Sequence, residues 1–275
     1  MATTMRCVNG LGYALLAAAA GLLSGCDDSD EDSCRGLERV EGALFGAGTD
    51  AGGEDDDGVV ALLLPIGARG PELCSGALIA PNVVLTARHC LGPDPDPAPD
   101  PDSNRRARAH VGASLETAER SLSIVQFFVH DERDLALALL DPPGDDVEDR
   151  HVLPLALSDE IAVGDRATLA GFGLDEDGNI GERRFVEEEI VEVDDELVVV
   201  DGAGASGACT GDSGGPLLLR APSGQLRVAG ILSVGSASCT EIDVYQRVAP
   251  VADWLNEQLD RIEHERELGL EPGGC

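Results

Sequence analysis

The chain has 275 residues, of which 43% are hydrophobic and 26% charged, so its apolar content suffices for a folded core in one or two domains. Its 52 acidic and 19 basic residues give a net charge of −33, which argues against nucleic-acid binding because phosphate contacts need clusters of Lys and Arg. The apolar runs are short and broken by 34 Gly and 15 Pro residues, a texture that favours many short strands.

The first 25 residues have the pattern of an export signal. The apolar run LGYALLAAAAGLL (11–23) is too short for an ordinary membrane-spanning helix and is typical of a signal-peptide core. It ends in LSGC, which resembles the bacterial lipoprotein signal, in which the cysteine, here Cys26, becomes the lipidated first residue after cleavage. We predict a signal peptide at 1–25, a lipid anchor on Cys26 and an acidic tether or propeptide at 26–39. Plain secretion and an uncleaved anchor are the alternatives.

Cysteine usage fits an exported protein, since disulfides persist outside the cytoplasm. The sequence has eight cysteines. Cys7 lies in the signal segment and Cys26 is the lipid candidate. The remaining six form an even set, as a disulfide framework requires: Cys34, Cys74, Cys90, Cys209, Cys239 and Cys275.

The segment CSGALIAPNVVLTARHC (74–90) contains the first candidate catalytic residue. It reads as two apolar strands joined by a Pro-Asn turn, and His89 follows the second strand directly. The other four histidines have ordinary surroundings that indicate surface or strand positions: His110, His130, His151 and His264. His89 is therefore the candidate general base.

The segment FFVHDERDLALALLDPP (127–143) offers three acids, Asp131, Asp134 and Asp141. Asp134 is the one followed by LALALL, whose apolar character suits a core strand with its acid at the mouth of the core. Further along, GACTGDSGGP (207–216) places Ser213 between an acid and close glycines. A reactive serine needs a base, a group that orients the base, and hydrogen-bond donors for the oxyanion.

The motif LTARHC followed much later by GDSGGP resembles the trypsin-like, chymotrypsin-fold serine peptidases of the S1 family. Three further segments match that family in order: VGDRATLAGFGL (163–174), VAGILSVGS (228–236) and DVYQRVAPVADWLNEQL (243–259). The resemblance implies an all-β fold of two antiparallel six-stranded barrels, at about 40–146 and 147–250. A C-terminal helix at about 250–265 and a tail at 266–275 would follow.

The same resemblance assigns the catalytic roles. The expected triad is His89, Asp134 and Ser213, with Asp131 as the fallback acid. The backbone N–H groups of Gly211 and Ser213 would form the oxyanion hole. The resemblance also selects the disulfides Cys74–Cys90 and Cys209–Cys239. Cys34 and Cys275 are then left either to pair with each other or to remain free.

The substrate pocket would be formed by Gly207, Ser233, Gly235 and Asp243. By the family's register, Gly207 would lie at the bottom of this pocket, where a trypsin-type enzyme has its acid, and Gly235 would be a pocket wall. The Asp243 carboxylate would either point into the pocket base and accept Lys or Arg, or turn to solvent. We therefore expect a weak preference for a basic P1 residue, with small or apolar P1 residues as the alternative.

Asp212 raises the question of activation. In the family this acid pairs with a newly cut, buried α-amino group. Arg39–Val40 and Leu44 are the two candidate starts of the mature enzyme, and the absence of processing is the third possibility.

The predicted function is a serine endopeptidase that hydrolyses protein or peptide substrates through an acyl-enzyme. The alternative is a catalytically silent homologue that acts as a lipid-anchored binding module. We expect no cofactor, no metal and no nucleic acid, and we expect an exported monomer that is either membrane-anchored through Cys26 or secreted.

Overall fold

The computed structural model describes residues 58–65, 71–92, 107–141, 152–157 and 161–268. Several predicted features lie outside these residues, namely the signal and tether, Cys26, Cys34, Val40, Leu44, His151 and Cys275. Within the described part of the chain, no helix is both long enough and apolar enough to cross a membrane.

The first half of the described chain forms a closed antiparallel barrel with the strand order β1-β2-β3-β6-β5-β4. Its strands are β1 (Val59–Leu64), β2 (Glu72–Ala80), β3 (Val83–Thr86), β4 (Arg108–Val111), β5 (Arg120–Val129) and β6 (Ala136–Leu140). Pro81 and Asn82 form the turn between β2 and β3, as the sequence predicts. Every residue of β3 and β6 is buried, which explains why both read as continuous apolar runs.

The second half forms another closed antiparallel barrel, with the order β10-β11-β12-β9-β8-β7. Its strands are β7 (Arg166–Gly171), β8 (Arg184–Val193), β9 (Leu197–Asp201), β10 (Pro216–Arg220), β11 (Leu226–Val234) and β12 (Ile242–Arg247). Among the described strands, closure of both sheets leaves no unpaired edge for another chain to join. The predicted fold of two six-stranded barrels is confirmed.

Helix α1 (Ala252–Glu267) follows the second barrel, close to the predicted span. Val251 and Leu255 are buried, and Trp254 and Leu259 pack partly buried against the same core. These apolar side chains therefore form the face on which the helix packs.

The two barrels are joined near β2 by hydrogen bonds from one buried residue, Ser75. Its backbone N–H donates to the Ser213 carbonyl at 2.8 Å. Its hydroxyl donates to the Gly211 carbonyl and accepts from the Phe172 N–H, both at 2.9 Å. These contacts fix the GDSGGP segment of the second barrel against the first barrel, beside the strand that leads to His89.

Candidate active site

His89 lies in a single 3-10 turn, Arg88–Leu91, that begins just after β3. The next residue, Cys90, is buried and forms a disulfide with Cys74 on β2. The covalent link joins the two ends of the β2–β3 hairpin and thereby restricts the backbone on which the imidazole stands. The imidazole itself is 42% exposed, so substrate can reach it.

Asp134 lies beside His89 because the strand that follows it, β6, pairs with β3, with Thr86 opposite Ala136. One carboxylate oxygen, Oδ2, is 2.8 Å from His89 Nδ1, and the other accepts the His89 backbone N–H at 2.8 Å. Burial alone raises the pKa of Asp134, but the hydrogen bonds from His89 and Ser233 outweigh burial and hold the pKa below its ordinary value. The group is therefore a carboxylate that favours the Nδ1–H tautomer of His89.

The structure brings Asp134 to His89 and leaves the fallback acid, Asp131, exposed. The backbone carbonyl of Asp131 accepts a hydrogen bond from the Arg88 guanidinium at 3.1 Å. Asp131 thus helps to hold the turn rather than the imidazole.

Ser233 has a different contact from the one expected of a pocket residue. Its hydroxyl donates to Asp134 Oδ2 at 2.6 Å. The carboxylate is consequently held by donors from both barrels, since Ser233 belongs to β11 and His89 to the first barrel. The Ser233 side chain therefore acts on the orienting acid, Asp134.

His130, which the sequence indicates only as a surface or strand residue, organises the loop that carries Asp134. Its Nδ1 accepts the backbone N–H groups of Glu132 at 3.2 Å and Arg133 at 3.1 Å. Its ring stands edge-on to Trp254 of α1, with centroids 5.0 Å apart. Burial, followed by the nearby Arg133, lowers the pKa of His130, so the ring stays neutral and able to accept. The available sequence signal was its position four residues before the acid.

Ser213 lies in a tight loop between β9 and β10. Gly214 has φ +79°, and a Cβ there would collide with the Thr86 hydroxyl and lie 2.9 Å from Ala87 N. The loop therefore packs directly against the segment that leads into His89. The Ser213 carbonyl oxygen also lies 3.5 Å from Cys90 Sγ. The structure thus brings the three predicted triad segments to one place at the junction of the barrels.

The peptide between Thr210 and Gly211 has a fixed orientation. The Thr210 carbonyl accepts the Leu174 N–H at 2.9 Å. In a trans peptide the N–H points opposite to the carbonyl, so the Gly211 N–H is directed away from Leu174. Within the described residues, neither this N–H nor that of Ser213 has an acceptor. Two free backbone donors beside a serine are what an oxyanion hole requires.

Asp212 points inward from the same loop and is 2% exposed. Its carboxyl oxygens accept the N–H groups of Gly173 at 2.8 Å and Cys209 at 2.9 Å. A Cβ at Gly171 or Gly173 would collide with this carboxyl, which explains the Gly-Phe-Gly pattern. Burial raises the pKa of Asp212 to about 7. Only backbone hydrogen bonds hold the acid within the described residues, and both candidate α-amino partners lie outside them.

Asp243, one of the four predicted pocket residues, is fully buried, so the solvent-facing alternative is wrong. Its carboxyl oxygens accept the N–H groups of Ala208 at 2.6 Å and Ser236 at 3.1 Å. Burial raises the pKa of Asp243 to about 6. A Cβ at Gly235 would lie 3.2 Å from one of these oxygens. The second predicted disulfide, Cys209–Cys239, links the two chain segments that carry Ala208 and Ser236.

An open cleft of about 270 Å³ reaches His89 and Asp134. It is also lined by Arg88, Gly92, Glu132 and Arg133. Among the described residues there is no group of three or more His, Cys, Asp or Glu side chains that could hold a metal ion.

Comparisons with known proteins agree with this geometry. Residues 58–255 match the family model described as Trypsin. Granzyme M of Rattus norvegicus is 29% identical over 214 residues, which cover 69% of this chain and 81% of that protein. Brachyurin of Leptuca pugilator is 29% identical over 208 residues, which cover 67% of this chain and 87% of that protein. The chain therefore belongs to the trypsin family of serine endopeptidases.

Proposed function

We propose that the protein hydrolyses peptide bonds with a triad of Ser213, His89 and Asp134. The observation that carries the proposal is the hydrogen-bonded chain from Ser233 through Asp134 to His89 Nδ1, with distances of 2.6 and 2.8 Å. That chain leaves the other ring nitrogen, Nε2, unprotonated and able to take a proton from a serine. Ser213 lies on the loop that packs against the His89 segment.

The reaction proceeds in two halves. His89 Nε2 takes the Ser213 hydroxyl proton while Oγ attacks the scissile carbonyl, and His89 then gives that proton to the leaving amine. Water, deprotonated by the same nitrogen, then attacks the acyl carbonyl, and His89 returns that proton to Ser213 Oγ as the ester bond breaks. Asp134 remains ionised and stabilises the imidazolium. The N–H groups of Gly211 and Ser213 bind the oxyanion in both halves.

A fluorophosphonate probe tests the proposal against a silent binding module. The wild-type protein should be labelled at Ser213, because the probe reacts with a serine that an adjacent base activates. The variant Ser213→Ala should not be labelled. Ser206→Ala, which removes a different serine near the pocket, should be labelled like the wild type. An unlabelled wild type that is folded by circular dichroism would favour the binding module.

We also propose that the mature enzyme is an exported monomer that begins at Val40 or Leu44, after loss of the signal peptide at 1–25 and cleavage at the end of the tether (26–39) or, for a Leu44 start, after Ala43. Lipid on Cys26 would hold the precursor at a membrane. The support is Asp212, whose buried carboxyl would gain a cationic partner from a new α-amino group. The intact mass of the labelled protein identifies the N-terminus and shows whether an acylated form exists.

For the substrate, we propose a preference for a basic P1 side chain through Asp243. Its buried carboxyl accepts the N–H of Ala208, the residue after Gly207, and lies 3.2 Å from the position of a Cβ at Gly235, so it stands beside both glycines of the expected pocket. Neutralising the acid leaves a buried cation unpaired, which typically costs about 2 kcal/mol or more.

The variant Asp243→Asn should lower kcat/KM for a P1 Arg peptide by roughly 30-fold or more at pH 8, because it removes that charge partner. Cleavage of the matched P1 Leu peptide should change little. Glu241→Gln removes an exposed charge two residues away and serves as the control. Equal Arg rates in Asp243→Asn and the wild type would refute the pocket role.

A further inference from the structure

Glu188 is a buried acid inside the second barrel that the triad mechanism does not use. It is 2% exposed, whereas its neighbours on β8, Glu187 and Glu189, face solvent. Side chains alternate along a strand, so Glu188 shares the inner face with Val186 and Ile190. An acid at such a position is costly unless other groups stabilise it.

The contacts of Glu188 satisfy only half of its carboxyl group. Oε1 accepts the Ser206 hydroxyl at 2.9 Å. Oε2 is buried and has no hydrogen-bond partner among the described residues. A Cβ at Gly202 would lie 3.0 Å from Oε1, so the backbone approaches the acid closely. An unsatisfied buried carboxyl oxygen would normally be selected against on stability grounds alone.

Ser206 locates this acid relative to the substrate pocket. It immediately precedes Gly207, the residue expected at the bottom of the pocket. From the other side, β9 separates β8 from β12, and Val200 of β9 pairs with both Ile190 and Asp243. Glu188 therefore lies beneath the pocket floor, on the same barrel interior as Asp243.

The electrostatics of nearby groups show the same proximity. The pKa of Glu188 is raised to about 7, chiefly by burial and also by the negative charges of Asp243 and Asp201, against the lowering effects of the Ser206 hydroxyl and Arg166. Burial also raises the pKa of Tyr245 well above its ordinary value, with contributions from Asp243, Glu188 and Asp212. The groups that act on Glu188 therefore lie on β7, β9, β12 and the segment that carries Ser206.

We propose that Glu188 is a specificity-determining residue that supplies a second negative charge to the S1 pocket, beneath its floor, when a basic P1 side chain is bound. The inference rests on the proposed function and names a further residue for it. When an Arg or Lys side chain enters, its positive charge favours the ionised form of both carboxyls. Any proton that Glu188 holds then passes to solvent, so the preference for basic over apolar P1 residues grows with pH.

The test compares kcat/KM for two peptides that differ only in P1, Arg or Leu, between pH 5.5 and 9. The ratio of the two values cancels any pH dependence of the catalytic steps that both substrates share. In the wild type the Arg/Leu ratio should rise in two steps, near pH 6 and near pH 7, as Asp243 and then Glu188 ionise. In Glu188→Gln the upper step should disappear and the ratio at pH 8 should fall about tenfold.

Two further variants separate this role from a structural one. Glu189→Gln removes an exposed charge from the same strand and should reproduce the wild-type profile. Ser206→Ala removes the hydroxyl that favours the charged form, so the upper step should move to higher pH. If Glu188→Gln does not fold, the shift of the upper step in Ser206→Ala still tests the inference.

The outcomes are distinct. An unchanged Arg/Leu ratio and pH profile in Glu188→Gln, together with altered thermal unfolding, would mean that the acid only anchors Ser206. A wild-type ratio that does not depend on pH would also overturn the inference. In both of these cases the fluorophosphonate probe still labels Ser213. If the proposed peptidase function itself is wrong, the protein is not labelled and cleaves neither peptide, and the inference about Glu188 fails as well.

Discussion

Replacing Asp134 by Asn is expected to lower kcat/KM for peptide hydrolysis by about 10⁴-fold, the loss typical of a triad whose acid becomes an amide. The carboxylate accepts from His89 Nδ1 at 2.8 Å and so keeps the proton on that nitrogen. An amide N–H in the same place would donate to Nδ1 and move the proton to Nε2. That nitrogen could then no longer take the proton of Ser213. Steady-state kinetics on one peptide substrate at pH 8 measure the loss.

Asp131→Asn is the matched control, because Asp131 lies three residues earlier in the same loop and is exposed. Its backbone carbonyl accepts a hydrogen bond from Arg88, and the substitution leaves that carbonyl in place. Its activity should stay within about twofold of the wild type, as is usual for an exposed position away from special contacts. Loss of activity in Asp131→Asn and its retention in Asp134→Asn would reverse the assignment of the orienting acid.

The fold could be predicted because the sequence features that specify it are local. The Pro81–Asn82 turn between two apolar runs specifies a hairpin by itself, and the buried β6 reads directly as an apolar run within LALALL. The glycines at 171, 173 and 214 mark places where backbone must approach another segment closely. Such requirements appear in the residue type and do not depend on which distant segment is approached.

The orientation of individual acidic side chains was harder to predict from the sequence. Whether Asp243 turns inward depends on the N–H groups of Ala208 and Ser236, which come from separate segments of the chain. The role of His130 likewise depends on a loop short enough for Nδ1 to reach two backbone N–H groups. Neither contact has a periodic signal.

Glu188 did leave a signal in the sequence. The strand β8 contains three consecutive glutamates, Glu187 to Glu189. Because strand side chains alternate between faces, three adjacent residues cannot all face solvent when one face of the sheet is a barrel interior. A run of this kind in a barrel strand therefore indicates a buried acid by residue order alone, although it does not say which face is inward.

The pKa values of the acids around the site are shifted in opposite directions. Asp134 is held below its ordinary pKa by donors from His89 and Ser233, whereas burial raises the pKa of Asp212 to about 7 and of Asp243 to about 6. A carboxyl with a raised folded pKa favours folding while it is protonated. The contribution of Asp212 and Asp243 to the free energy of unfolding therefore falls as pH rises from about 4, the pKa of an unfolded Asp, to about 7 for Asp212 and about 6 for Asp243. A bound cation at either acid would reverse that loss, which links substrate and α-amino binding to stability.

The second large effect is expected at Gly211. Its φ is +101°, a region that alanine rarely adopts, and a Cβ there would lie 3.0 Å from Gly173 Cα. Gly211→Ala should therefore turn the peptide from Thr210 and move its N–H away from the oxyanion. Loss of one such donor reduces kcat by about 10²- to 10³-fold. KM should change far less, since the donor acts mainly on the charge that develops in the transition state.

Gly224→Ala provides the control that separates backbone strain from the lost donor. Gly224 has φ +91° in the turn between β10 and β11, and nothing lies within 4 Å of a Cβ placed there. Both substitutions should lower the unfolding temperature through the same unfavourable backbone conformation. Only Gly211→Ala should lower kcat, because only that peptide bears a donor whose direction is fixed by Leu174. If the two variants kept the same kcat, the oxyanion would have to be bound by donors other than the Gly211 N–H.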